Sequence, residues 1–132
     1  GTREPEKYGS KTFEDYLNIL KMKYPQIEIN YFQSNVEGEL INRIHSSGKN
    51  FDGIILNAGG YTHTSVAMHD AIAAITAPVA EVHITNIYAR EEFRHRSLVS
   101  ASCRGTVSGF GLDSYRLAVE ALIEIVNSNI QK

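Results

Sequence analysis

The stretch Val79-Ala-Glu-Val-His-Ile-Thr-Asn-Ile-Tyr-Ala-Arg-Glu-Glu-Phe-Arg-His-Arg96 changes character along its length. It opens as an apolar strand and turns polar, delivering His83, Thr85, Asn86, Arg90, Arg94 and Arg96 within a few positions. In an open α/β sheet, ligands bind outside the carboxyl ends of the strands. A strand that ends in such a cluster therefore marks the edge where chemistry is expected.

Upstream, Gly53 to Leu56 is a short continuous apolar run, the pattern of a parallel strand covered on both faces. Asn57 to Thr62 forms its exit loop, and a helix is expected from about Thr64, burying Val66, Met68, Ala71, Ile72 and Ile75 before Pro78 ends the connection. Further back, Ile27 to Phe32 alternates apolar and polar residues and reads as a strand. The helix after it carries Val36, Leu40 and Ile44 on one face, with Gly48 as its stop. Thr12 followed three residues on by Asp15 has the form of a capping box, and Phe13, Tyr16, Leu17, Leu20 and Tyr24 fall at helical spacing before Pro25. Gly1 to Lys11 is a polar loop.

Downstream of the quoted stretch, Thr106 to Phe110 reads as a last strand and Leu112 to Ile130 as an amphipathic helix on Tyr115, Ala118, Val119, Leu122 and Val126. Strands alternating with helices predict one α/β domain over residues 1–132, an open parallel sheet with helices on both faces and right-handed crossovers. The strand that should precede the first helix is absent from the sequence.

Composition narrows the function classes. A net charge of −2 argues against a nucleic-acid coat or a membrane-surface protein, and leaves the local arginines as a site for a small anion. Cys103 is the only cysteine, so no intrachain disulfide can form and a reducing, cytoplasmic setting is expected. No apolar run reaches the roughly 18 residues of a membrane span.

Glu81 and His83 share a strand face, where a carboxylate can orient an imidazole and hold its proton on one nitrogen; a satisfied strand-end histidine has the same spacing. Arg90 and Arg94 are four apart, which also describes an ordinary solvated cluster. The loop Asn57 to Ser65, with two glycines and His63, leads into a helix N-terminus, which serves either as a cap or as a polar ligand site. Asp70 reads as a polar-face carboxylate, and His45 and His69 as surface residues. Tyr8 lies near Arg3 in the opening loop, and a tyrosine acts as a base only where positive charge lowers its pKa from about 10. No metal-ligand spacing is present, and nothing ties a base to Cys103.

Four motifs occur in order: Gly-Thr-Arg-Glu-Pro-Glu-Lys-Tyr-Gly from Gly1, Phe-Gln-Ser-Asn-x-Glu-Gly-Glu from Phe32, Asn-Ala-Gly-Gly-Tyr-Thr-His-Thr-Ser from Asn57, and the run from Glu81 to Arg94. Together with the Gly-Phe-Gly at 109–111, they closely resemble the type II 3-dehydroquinate dehydratases over essentially the whole chain. The resemblance implies a flavodoxin-like three-layer sandwich with strand order 2-1-3-4-5, its first strand missing here. It also implies dehydration of 3-dehydroquinate to 3-dehydroshikimate in the shikimate pathway, with no metal or organic cofactor.

Carried over by resemblance, Tyr8 is the base, with Arg3 and Arg90 depressing its pKa, and residues 1–11 are a mobile active-site loop. His83, oriented by Glu81, is the general acid. Ile84 and Thr85, through their backbone N–H groups and the Thr85 hydroxyl, hold a substrate carboxylate near Asn57, while His63 and Arg94 hold ring hydroxyls. Many members have serine where Thr85 stands, which keeps the hydroxyl. Asp70 reaches a neighbouring subunit's site in trimers that assemble into dodecamers.

Members ordinarily begin with a strand running into Asn-Gly-Pro-Asn. Losing about four buried apolar side chains at roughly 1.5–3 kcal/mol each equals a domain's whole stability, so a segment preceding Gly1 is expected. Two other readings stay open at this stage: a flavodoxin-like binding module, for which the loops lack a phosphate-binding glycine and lysine pattern, and a catalytically inactive assembly subunit.

Overall fold

The computed structural model describes residues 12–59, 65–85 and 99–131, with side chains to residue 128. Helix α1 spans Phe13–Lys23 and starts as its sequence requires: Thr12 Oγ1 accepts from the Asp15 amide at 3.1 Å, and the Asp15 carboxylate accepts from the Thr12 amide. Its first turn is acidic and its last turn basic, matching the helix dipole. Leu20 and Tyr24 are buried against Val119 and Ile123. The residues after α1 depart from expectation. Ile27 to Phe32 has no regular secondary structure, because no described strand lies beside it to take its hydrogen bonds. Its apolar residues Ile27 and Ile29 still pack toward Ile55, Tyr115 and Val119.

Helix α2 spans Glu37–Asn50, so Gly48 does not stop it. A Cβ at Gly48 would lie 2.5 Å from Cγ2 of Ile75, so this glycine is where the chain after α3 crosses the helix closely. Val36 is the N-cap rather than part of the buried face, and it is exposed. Strand β1 spans Ile54–Leu56, and helix α3 spans Val66–Ala73, capped by the Ser65 hydroxyl on the Met68 amide at 3.0 Å. Met68, Ala71 and Ile72 are buried as expected, but Val66, in the first turn, faces outward at 61% exposure.

Strand β2 spans Val79–His83 and is buried throughout. Strand β3 spans Gly105–Ser108, and helix α4 spans Asp113–Gln131. The sheet is parallel in the order β1-β2-β3, with Leu56 opposite Glu81 and Thr106 on the other side of Glu81. Alternation along β2 divides the core. Val79 joins Ile44, Met68 and Ile72 on the α2–α3 side, while Ala80 and Val82 meet Ala118 and Leu122 of α4. The result is a three-layer α/β/α sandwich of flavodoxin-like type. Its three strands, adjacent in sequence order, match the 3-4-5 run of the expected sheet.

Helices α1 and α4 are also tied by polar contacts. The Tyr16 hydroxyl donates to Asp113, which accepts a two-pronged pair of bonds from Arg116 at 2.8 Å, and Tyr24 donates to Glu120 at 2.5 Å.

Candidate active site

The carboxyl ends of the three strands bring Asn57, His83 and the Gly109–Gly111 turn to one edge of the sheet. Glu81 and His83 project on the α2–α3 side of β2, where the sheet spacing places them one above the other. Glu81 is completely buried and His83 is 7% exposed. A carboxylate at such a depth is tolerated only when its oxygens are satisfied. Here Oε2 holds Nε2 of His83, and Oε1 accepts from the Ser100 hydroxyl. An ionised carboxylate can only accept, so Nε2 carries a proton, and the other ring nitrogen, Nδ1, is the one available to exchange a proton with a substrate.

The turn after β3 shapes the backbone beyond His83. The Gly109 amide donates to the His83 carbonyl at 3.1 Å, and the Gly111 amide donates to the Ile84 carbonyl at 2.8 Å. Both glycines have positive φ, 96° and 62°, which lets the turn double back over the strand end. In a trans peptide the N–H points opposite to the carbonyl, and no peptide bond among the described residues is cis. The N–H groups of Ile84 and Thr85 therefore both point away from the turn, toward the β1 side where Asn57 stands. Two successive N–H groups on one side make an anion-binding concavity. A regular strand would alternate them.

Asn57 sits at the exit of β1, exposed, its amide donating to the Tyr115 hydroxyl at 3.1 Å while its carbonyl oxygen accepts from the Gly59 amide. Asp70 stands on the solvent side of α3 and pairs with His69 at 3.2 Å, so His69 has a partner that its sequence context did not suggest. Tyr8, Arg3, His63, Arg90 and Arg94 lie outside the described residues. The described site thus brings together Glu81, His83, Ile84, Thr85 and Asn57, and leaves Asp70 on the outer surface of α3.

Two contributors had no sequence signal, Ser100 and Tyr115 as the partner of Asn57; the Gly-Phe-Gly at 109–111 is visible as a motif, but not its use as a backbone clamp. Cys103, half-buried near Glu81, has its thiol pushed up to about 12, first by burial and then by the Glu81 charge. Among the described residues no group of three or more His, Cys, Asp or Glu could hold a metal ion. Surface depressions occur near Pro78 and Phe51 and near Phe32 and Arg43; neither is lined by Glu81 or His83.

Fold and site together define an α/β enzyme with a carboxylate-oriented imidazole at the carboxyl edge of its sheet. The sequence model of the Dehydroquinase class II family matches residues 1–123. The chain is 52% identical to a 3-dehydroquinate dehydratase of Caldicellulosiruptor saccharolyticus, over 96% of this chain and 89% of that one. It is 51% identical to a 3-dehydroquinate dehydratase of Exiguobacterium, over 94% and 86%. A solved type II dehydroquinase from Butyrivibrio crossotus superposes with a TM-score of 0.84 at 40% identity, covering 92% of this chain and 86% of that one. The chain belongs to the class II dehydroquinase family.

Proposed function

We propose that the chain dehydrates 3-dehydroquinate to 3-dehydroshikimate with Tyr8 as base and His83 as general acid. The activity follows from family membership: the chain is a hydro-lyase of the shikimate pathway. The observation that supports the acid assignment is the buried Glu81–His83 pair at the strand edge.

Tyr8, ionised with help from Arg3 and Arg90, removes the proton alpha to the ketone, and the C–H electron pair becomes the enolate. His83 then delivers its Nδ1 proton to the departing hydroxyl. The C–O bond breaks, water leaves, and the enolate collapses to the conjugated enone. Glu81 keeps Nε2 bound throughout and so holds the ring with Nδ1 toward the substrate. The substrate carboxylate sits on the Ile84 and Thr85 N–H groups and the Thr85 hydroxyl, beside Asn57, with His63 and Arg94 on the ring hydroxyls.

Residues 1–132 act as one domain, with 1–11 as the active-site loop that supplies Arg3 and Tyr8. The enzyme works as a homo-oligomer, trimers building a dodecamer, with the outward Asp70 reaching a neighbour's site. We place it in the cytoplasm, where its one cysteine stays reduced. No described helix is long and apolar enough to cross a membrane.

An absorbance assay for the conjugated enone tests the reading: turnover of 3-dehydroquinate by the parent chain and its collapse in Tyr8→Phe are expected. No turnover by folded parent would return the chain to an assembly or binding role.

A further inference from the structure

We infer that Ser100 is a positioning residue for the dehydration, acting on His83 through Glu81. The inference rests on His83 as the general acid. Three observations lead to it.

The first is connectivity. Glu81 has two carboxylate oxygens and divides them, Oε2 to the His83 ring and Oε1 to the Ser100 hydroxyl. A carboxylate at the end of a side chain can rotate; a donor on each oxygen stops that rotation. The plane of the Glu81 carboxylate, and with it the direction in which Nε2 is held, is therefore fixed partly by Ser100.

The second is direction. Ser100 Oγ lies 3.5 Å from Thr106 Oγ1. A hydroxyl has one proton, and Ser100 gives its own to Glu81, so in the Ser100–Thr106 pair Thr106 is the donor. Thr106 is the register neighbour of Glu81 on β3. The Ser100 proton is thus committed to one oxygen of Glu81, and the carboxylate accepts from the imidazole on the other.

The third is rigidity. Ser100 opens the 3-10 turn Ser100–Ser102, immediately after Val99, which is fully buried in the core cluster of Met68 and Val79. The Ser102 amide and hydroxyl both donate to the Val99 carbonyl, the Cys103 amide closes on Ser100, and the Arg104 amide donates to the Val79 carbonyl at 2.8 Å. The turn is thereby fastened to the first residue of the strand that carries Glu81 and His83. A hydroxyl mounted this way holds its place during a reaction, which is what a group orienting an acid must do.

The test is a kinetic cycle on the intact protein with Ser100→Ala, Ser100→Thr, His83→Ala and the double variant Ser100→Ala/His83→Ala. Ser100→Ala is expected to lower kcat by about 10- to 100-fold with KM changed little, the scale of a displaced catalytic group. Ser100→Thr, which keeps the hydroxyl, restores most of the rate. In the His83→Ala background, Ser100→Ala costs nothing further, because the group it positions is gone. Should Ser100→Ala fail to fold by circular dichroism, Ser100→Gly takes its place in the cycle. A kcat unchanged by loss of the hydroxyl, or a loss that persists undiminished without His83, overturns the inference. A His83→Ala variant with parental kcat would instead strike the acid assignment itself.

Discussion

The Glu81 carboxylate, with no exposure to solvent, holds Nε2 of His83 from two residues back on the same strand. Strand geometry makes this pairing nearly automatic, since alternate side chains share a face. Burial gives it consequence: among apolar neighbours the pair is shielded from water, where its attraction is strong.

The thiol of Cys103 offers a readout of that buried charge. Its pKa rises from 9.0 to about 12, chiefly through burial and secondarily through Glu81. At pH 8 the thiolate fraction falls about a thousandfold relative to an unshifted thiol, and the thiolate is the reactive form. Alkylation of the folded protein should be slower than that of the urea-unfolded chain by at least that order. Glu81→Gln should recover a minor part of the rate. Equal rates in folded and unfolded protein would contradict this environment for Cys103.

Gly111 has φ +62° and open space where a Cβ would go, so alanine there is strained without a clash. The cost is about 1–2 kcal/mol, relieved if the turn shifts. Because the Gly111 amide holds the Ile84 carbonyl, a shift turns the Thr85 N–H that we propose binds the substrate carboxylate. Gly111→Ala should raise KM for 3-dehydroquinate more than it lowers kcat in steady-state assays, the reverse of the pattern expected for Ser100→Ala.

Two glycines of α2 should respond oppositely to alanine. A Cβ at Gly38 would meet nothing within 4 Å, so Gly38→Ala gains helix propensity, up to about 1 kcal/mol. Gly48→Ala would push against Ile75 Cγ2 at 2.5 Å and should cost about 1–3 kcal/mol of overpacking, partly relieved by Ile75→Ala. Urea unfolding of the three variants checks the signs.

The α1–α4 contacts predict pH dependence at both extremes. Arg116 hydrogen bonding, with its charge, holds the Asp113 carboxyl below its usual 3.8 despite opposing desolvation. That stabilisation is present above pH 3.8 and is lost as pH falls through the lower folded value. Burial and then Asp113 push the Tyr16 phenol up to about 12. Its contribution is complete below pH 10 and is lost as pH rises from 10 to about 12. Urea midpoints against pH should flatten on the acid limb in Asp113→Asn and on the alkaline limb in Tyr16→Phe.

Much of this arrangement is legible in the sequence because it is local. The Thr12–Asp15 box, the apolar run before Asn57 and the i, i+2 spacing of Glu81 and His83 each depend on neighbours in sequence. Ser100 lies 19 residues from Glu81, and only the crossover from β2 to β3 brings them together. Gly48 reads as a stop because a glycine that ends a helix and one that admits a neighbour look the same in sequence. Val66 reads as core because an apolar residue in the first turn of α3 can face either way. Ile27 to Phe32 alternates like a strand, but a strand is defined by its partner, which alternation does not supply.

The most direct test of His83 as general acid separates the two halves of the reaction. With Tyr8 as the proposed base, His83→Ala in deuterated water should still exchange the proton alpha to the ketone, while enone formation falls by about 100- to 10,000-fold. NMR of the residual substrate alongside enone absorbance measures both rates in one sample. Exchange persisting while elimination collapses is the predicted result; elimination at the parental rate without His83 would contradict the account.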